Sequence, residues 1–236
     1  MRRILVCVMM LLGSGDAWAK TGLTDAPSIR HQQLLRKARH ELTPAIGATM
    51  NDTYCRNMLI QLGYVYHITD WIGVGAEFSY GVGFKTALTS QIESEVTRDP
   101  EWLEKNAGAK YQLGRTGLNI LALAKAAIVP FSGKIVLFRN FGAYVDFHVN
   151  LGGGLAMVKG YGGLDDSTTY AVLVGGGFRF FPMNWWSVNL DVSDYMVPRV
   201  LNRAATGTPT EKKFTQNPAF LFGVSFFMPT APGRGN

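Results

Sequence analysis

The sequence has only two cysteines among its 236 residues, and charged side chains make up only 17% of it. Cys7 lies in an N-terminal stretch that we expect to be removed on export, which leaves Cys55 as the one thiol of the mature chain. A single cysteine cannot form an internal disulfide. We interpret Cys55 as a residue of a short loop, and an intermolecular disulfide or a redox role is the alternative.

The N-terminus lacks an apolar run long enough to anchor the chain. Arg2 and Arg3 precede the run Ile4–Leu12, which is far shorter than the ~20 residues that a transmembrane helix needs. The small residues of an Ala-Trp-Ala cleavage site follow at positions 17–19. Residues 1–19 are therefore predicted to be a secretory signal peptide, and an exported chain is not expected to meet nucleic acid.

What the sequence does contain is strict alternation of apolar residues. Between Tyr170 and Phe181, bulky residues occupy one face while Gly175, Gly177 and Arg179 occupy the other. The stretches 58–67 and 186–193 show the same period of two. Strands with one apolar face can be covered directly by a lipid bilayer if the sheet closes on itself and leaves no unpaired edge. The pattern predicts a transmembrane β-barrel.

The alternation marks eight candidate strands, which are near 42–50, 56–68, 71–84, 121–138, 142–158, 169–182, 185–197 and 217–228. Short and long links alternate between them. Outer-membrane barrels have short periplasmic turns and longer outer loops. We therefore predict an all-β, eight-stranded antiparallel barrel over residues 41–228 in the outer membrane of a Gram-negative bacterium. Both ends of the chain, including the tail 229–236, are placed in the periplasm.

Two segments outside the strands carry features of their own. Removal of Arg2, Arg3 and Asp16 with the signal peptide leaves 21 basic and 16 acidic residues, a net charge of +5. The surplus is concentrated in the predicted periplasmic segment 20–40, which either binds anionic lipid or acidic partners or is a solvated lead-in to the first strand.

The 85–120 link is predicted to be partly helical, because Asp99 can cap a helix that begins at Pro100.

The polar faces of the strands predict what fills the barrel. If the bulky residues face lipid, the lumen holds a network whose main members are Glu77, Lys134, Asp146, His148, Arg179 and Asp191. An eight-stranded barrel is narrow enough for side chains to fill it, and buried ionic groups must be paired. A packed plug is therefore expected. A path for protons or small ions through the same groups is the alternative.

Catalysis finds little support in the residue pattern. His148, Asp146 and Ser79 form the best Ser-His-acid set that the predicted lumen offers, and they are more simply members of the polar network. The glycines at 152–154 and 175–177 lack the helix and the Lys-Ser/Thr pair that follow a phosphate-binding loop. We predict no catalytic site, no cofactor and no metal.

The last strand carries Gly223, Phe226 and Met228, and it resembles the insertion signal that the barrel-assembly machinery recognises. The chain also resembles the myxobacterial outer-membrane β-barrel domain family. The resemblance rests on short motifs, which are Glu41–Pro44, Asn51–Tyr54, Gly63–Trp71, Gly133 with Lys134, Asp146 and Asn217–Leu221. It implies a non-enzymatic outer-membrane component that joins other subunits, similar to barrels of the envelope-spanning gliding-motility machinery.

Three functions remain in competition. The leading hypothesis is a structural or interaction component of an envelope complex that contacts other envelope proteins through the 85–120 and 198–216 loops or the basic N-terminal segment. The second is a narrow channel or small-molecule transporter, and the third is a lipid-active barrel enzyme. Conductance in a planar bilayer separates the first two hypotheses, because a filled barrel gives no stable ohmic steps.

Overall fold

Nine strands and two helices make up the part of the chain that the computed structural model describes, residues 36–50, 54–105, 110–137, 141–200 and 212–230. The strands are β1 (His40–Thr49), β2 (Cys55–His67), β3 (Ile72–Lys85), β4 (Arg115–Leu137), β5 (Phe141–Tyr161), β6 (Ser167–Met183), β7 (Trp186–Val200), β8 (Lys212–Thr215) and β9 (Pro218–Met228). The helices are α1 (Ala87–Arg98) and α2 (Pro100–Lys105).

Eight of these strands form a closed antiparallel barrel. Neighbours pair in the order β6-β5-β4-β3-β2-β1-β9-β7, and β7 pairs with β6 to complete the circle. β8 stands outside the circle, because it pairs only with the end of β7 at Val197–Val200. The eight-stranded antiparallel barrel that the alternation predicts is confirmed. Closure satisfies the ladder hydrogen bonds of every barrel strand over its paired length.

The two ends of the barrel differ in the length of their links. β2, β4, β6 and β9 finish at the same end of the barrel at which β1 begins, and the links there, at 68–71, 138–140 and 184–185, are short. We call this the turn end. The links at the opposite end, the loop end, are longer and include 86–114 and 201–217. Among the described residues, no helix is long and apolar enough to cross a membrane.

The outward face of most barrel strands carries bulky apolar side chains. In β2 every second residue from Met58 to Tyr66 is exposed while the residues between them are buried. β4 reverses this size rule, because Leu121 and Leu123 point into the lumen and Ala122 and Ala124 point outward. Alternation predicts the two faces of a strand, but in β4 the bulkier face is the inner one.

The long link between β3 and β4 is partly helical, as predicted. Thr86 caps α1 by accepting a hydrogen bond from the Thr89 backbone N–H at 3.3 Å. Asp99 precedes Pro100, the first residue of α2, and its Oδ1 accepts a hydrogen bond from the Glu101 backbone N–H at 3.1 Å. Side-chain acceptors satisfy N–H groups that a helix leaves unpaired at its start. Both helices therefore begin where the sequence supplies a cap.

Two details of the sequence-based assignment are wrong. Cys55 does not lie in a loop, because it is the first residue of β2 and is buried inside the loop end of the barrel. β4 begins at Arg115 and not near residue 121, because Arg115–Leu118 continue the pairing with β5. That pairing is non-local, and the alternation within one strand does not show it.

Candidate functional site

The turn-end half of the lumen holds a connected set of ion pairs. Asp146 on β5 and Arg179 on β6 are directly opposite in the strand register, and the Arg179 Nε lies 3.0 Å from the Asp146 carboxylate. The same guanidinium reaches across the lumen to Glu41 on β1, with Nη1 at 2.5 Å from Oε2. Arg36, just before β1, donates to the other oxygen of Asp146. Two arginines and two carboxylates thus neutralise each other.

Two further side chains complete the shell of Glu41. The His67 Nε2 lies 2.8 Å from the Glu41 Oε2, and the Ser225 hydroxyl donates to Oε1 at 2.7 Å. Ser225 in turn accepts from Asn189 at 2.6 Å. Burying a carboxylate without partners is costly, and each of these contacts offsets part of that cost. The arrangement holds charges in place rather than presenting them to a solute.

A second contact crosses β6 next to this network. His148 and Asp191 lie on β5 and β7, on either side of Gly177 in the register, and the His148 Nε2 is 2.9 Å from an Asp191 oxygen. A Cβ at position 177 would come within 1.9 Å of that same oxygen. Gly177 therefore leaves the space through which the histidine and the carboxylate meet across an intervening strand.

Glu77 anchors a separate group in the middle of the lumen. Its carboxylate accepts hydrogen bonds from the Tyr195 hydroxyl at 2.8 Å and from the Lys125 ammonium at 3.2 Å. Toward the loop end, the ion pairs of the lumen give way to a packed apolar cluster, beside which Thr49, Asn57 and Asn217 are also buried. Its members are Leu59, Leu118, Leu121, Leu123, Ala156, Val158, Ala171, Leu173, Tyr195, Val197, Ala219 and Leu221. The packed interior is therefore ionic toward the turn end and apolar toward the loop end.

The structure brings five of the six predicted network residues into the lumen and leaves one out. Lys134 is exposed, and its ammonium lies 5.9 Å from the centre of the Tyr144 ring. The reason is that β4 pairs with β3 only as far as Ile128, so Lys134 lies on a part of the β4–β5 hairpin that projects beyond the barrel. The alternation predicted which face of β4 carries Lys134, but it did not predict where along β4 the barrel ends.

The predicted partners within the network also differ. The carboxylates nearest Arg179 are Asp146 and Glu41, whereas Glu77 pairs with Lys125 and Asp191 with His148. Glu41, Lys125 and Arg36 were missed as lumen residues. Lys125 interrupts an apolar stretch of β4, which is a signal that the sequence offers, whereas Glu41 lies among polar residues at the start of β1. Arg36 precedes the first strand, and no period marks it.

The Ser-His-acid set considered from the sequence is not assembled. His148 uses Nε2 toward Asp191, and its Nδ1 is 3.9 Å from Asp146, beyond hydrogen-bond reach. The Ser79 hydroxyl is buried and forms no hydrogen bond to this histidine. In the described part of the chain, no group of three or more His, Cys, Asp or Glu side chains could hold a metal ion.

The turn end also has a pocket on its rim. The pocket has a volume of about 230 Å³ and is lined by Arg36, Asp70, Trp71, Val129, Pro130, Phe131 and Ser132. Arg36 is fixed in its wall, because its backbone N–H donates to the Asp70 carboxylate at 2.6 Å and its guanidinium donates to the Asp70 carbonyl at 3.3 Å. Trp71 and Phe131 are largely exposed beside it.

A different ionic cluster fixes the helical loop at the opposite end. The Glu93 carboxylate on α1 lies 2.6 Å from the Lys85 ammonium and 3.4 Å from the Arg115 guanidinium, and it accepts the Leu113 backbone N–H at 3.1 Å. Partial burial works to raise the pKa of the Glu93 carboxyl, but these hydrogen bonds and positive charges outweigh it and hold the pKa below its usual range. The cluster ties the helix to the start of β4.

No protein-family model matches the chain, and no curated protein matches it. Solved structures of barrels do match it at low identity. Neisserial surface protein A is 9% identical over 80% of this chain and 97% of its own, with a TM-score of 0.41. The N-terminal β-barrel domain of Pseudomonas aeruginosa OprF is 8% identical over 81% and 98%, with a TM-score of 0.42. The attachment invasion locus protein Ail of Yersinia pestis is 12% identical over 81% and 99%, with a TM-score of 0.36.

Proposed function

We propose that this chain is a non-conducting β-barrel of the Gram-negative outer membrane that acts as a structural or interaction component of the cell envelope. The observation that carries the proposal is the filling of the lumen. Side chains of the ionic network fill the turn end of the lumen, and the packed apolar cluster fills the loop end. A solute that crossed the barrel would have to displace both.

The outer surface supports placement in a membrane. Exposed apolar side chains cover the outward face of successive strands, including Ile60, Phe78, Val174, Val192 and Phe222. Exposure of an apolar surface of this extent to water is unfavourable in free energy, whereas contact with the hydrocarbon core of a bilayer removes that cost. Trp71 and Trp185, both exposed at the turn end, suit the interface between lipid and periplasm.

The parts that remain for interaction lie at the two ends. α1 and α2 stand at the loop end, tied down through Glu93, and the β4–β5 hairpin projects at the turn end. A barrel with a closed lumen and two structured ends suits an anchor that joins other envelope proteins. The resemblance to the myxobacterial family makes a gliding-motility complex the most specific context that we propose.

Planar-bilayer conductance tests the filled lumen. The purified mature protein, inserted at single-molecule density, should give no stable ohmic steps, while a porin inserted in the same bilayer serves as the positive control. Reproducible steps from the wild-type barrel would replace the proposal with a channel. Pull-down from solubilised outer membrane, followed by mass spectrometry, should then recover other envelope proteins with the wild-type chain.

A further inference from the structure

The outward face of the barrel wall carries two basic residues at the loop end. Arg56 is exposed near the start of β2, in line with the outward apolar row that continues along this strand to Tyr66. Lys159 is exposed near the end of β5, in line with the outward side chains of Leu155 and Met157. Both basic side chains therefore border the apolar outer surface of the barrel at its loop-end edge.

The two basic residues lie at the same height on neighbouring parts of the wall. A Cβ at Gly117 of β4 would lie 3.0 Å from the Oδ1 of Asn57, the residue that follows Arg56. Lys159 is directly opposite Gly117 in the register of β4 and β5. Because neighbouring strands lie about 4.8 Å apart, the three steps from β2 to β5 separate Arg56 and Lys159 by about 14 Å along the wall. Phe84, which is opposite Arg56 on β3 and is 50% exposed, lies between them.

The length of the apolar row on β2 sets the level of Arg56 in a membrane. Arg56 and Tyr66 are ten residues apart on the outward face, which corresponds to about 34 Å along the strand and about 26 Å of height at a strand tilt of about 40°. The apolar band of an outer-membrane barrel is about 25 Å tall. Arg56 and Tyr66 therefore lie at opposite edges of this band, where lipid headgroups begin.

The charges of Arg56 and Lys159 are not neutralised by the described part of the chain. Lys85 and Arg115, two basic residues of the same rim, share the Glu93 carboxylate. Arg56 and Lys159 take part in none of the ion pairs among the described residues. Basic side chains at the surface of a membrane attract anionic headgroups, and both arginine and lysine bind phosphate.

We propose that Arg56 and Lys159 bind the phosphates of a phosphorylated glycolipid of the outer leaflet, whose acyl chains lie against Met58, Phe84 and Met157. The inference rests on the proposed placement of the barrel in the outer membrane, and it names the lipid class that the loop end contacts. A headgroup with one phosphate reaches one of two cations that are about 14 Å apart. A disaccharide headgroup with a phosphate on each sugar reaches both.

Native mass spectrometry of the folded mature barrel in detergent tests the site, with bisphosphorylated lipid A, monophosphorylated lipid A and phosphatidylglycerol as probes. One basic residue near an anionic lipid contributes about fivefold in affinity, so the wild type should bind the bisphosphorylated lipid about fivefold more tightly than the monophosphorylated one. Arg56→Gln combined with Lys159→Gln should weaken binding about 25-fold and abolish this preference. Arg56→Lys with Lys159→Arg, which keeps both charges, should retain it.

The matched control removes two positive charges at the other end of the barrel. Lys37→Gln combined with Lys134→Gln changes two exposed lysines at the turn end, and it should leave the affinity for bisphosphorylated lipid A unchanged. Equal losses from the two double variants would overturn the proposal, because net charge alone would then explain the binding. Phosphatidylglycerol that binds as tightly as bisphosphorylated lipid A would overturn it in favour of any anionic phospholipid.

A separate measurement distinguishes failure of the lipid site from failure of the membrane placement. Insertion of the wild type and of each variant into neutral phosphatidylcholine vesicles is scored by the heat-modifiable mobility of a closed barrel on a gel. A wild-type barrel that inserts but shows no preference among the three lipids overturns the lipid site alone. A wild-type barrel that does not insert overturns the placement and the lipid site together.

Discussion

The two halves of the lumen solve the same packing problem with different chemistry. At the turn end, Arg179, Glu41 and Asp146 are buried together and depend on one another for charge balance. At the loop end, Leu121 and Leu173 fill the lumen by apolar packing, which is not directional. Ionic pairs tolerate the loss of a partner poorly, whereas apolar packing loses contacts in proportion to the volume removed. The halves should therefore respond differently to substitution.

The largest effect is expected at Arg179. Arg179→Met removes the group that Glu41 and Asp146 share, and breaking a buried pair from one side costs about 3–5 kcal/mol. Urea unfolding of the barrel from lipid vesicles should show this loss, and the mutant should still conduct nothing. Arg179→Lys, which keeps the charge, should lose less. A mutant of unchanged stability with altered ion flux would instead indicate an ion path.

A substitution in the apolar half should cost somewhat less and should not depend on charge. Leu173→Ala opens a cavity in the packed apolar cluster, and substitutions of this kind lower the free energy of unfolding by about 2–5 kcal/mol. The same vesicle assay measures it. The loss should be independent of salt and of pH between 5 and 8, because the cluster has no charged member and its one titratable group, the Tyr195 phenol opposite Leu173, ordinarily ionises only at about pH 10. A salt-dependent loss would show that the two halves are not chemically separate.

The outward-facing neighbour of Leu173 allows a comparison between the inner and the outer face of the barrel. Val174 points outward, and Val174→Arg places a charge on the apolar outer face. The expected loss is about 2–4 kcal/mol if the residue lies at the bilayer midplane. Val174→Leu should be nearly silent. Heat-modifiability gels and vesicle unfolding compare the two, and equal tolerance would mean that this face does not contact lipid.

The smallest effect is expected in the loop cluster around Glu93. Because the pKa of its carboxyl is lowered in the folded protein, its stabilising contribution is present in full above the unfolded pKa of about 4.3 and is lost as the pH falls through the folded value. Glu93→Gln should therefore weaken the loop at pH 7, by about 0.2–1 kcal/mol. Protease cleavage within α1 of the refolded barrel, compared at pH 7 and pH 3, measures it. A difference that does not narrow as the pH falls would contradict the assignment.

Much of the fold was predictable because the period of two is a local property. Residues such as Met58, Ile60 and Leu62 mark the outward face of β2 without any knowledge of its neighbours. The inward direction of Asp146 and Arg179 followed from the same rule. Lys134 obeyed the rule as well but lies beyond the rim, because the length of β3 decides where the lumen ends.

The partners inside the lumen were less accessible to prediction. Glu41 contacts Arg179 across the barrel. The two residues are 138 positions apart in the sequence, and no periodic pattern relates residues at that distance. The contact of His148 with Asp191 depends on a glycine in the strand between them. Pairings of this kind are set by the register of several strands together.

By itself, the sequence determined the positions of the eight barrel strands apart from the start of β4, the two faces of most strands and the alternation of short and long links, because each depends on residues close together in the chain. The tertiary structure alone decided that the lumen is ionic at one end and apolar at the other, that Arg36 closes the ionic network, and that β4 projects past its neighbour. These features depend on barrel closure and on strand register, which bring distant residues to the same height around one axis.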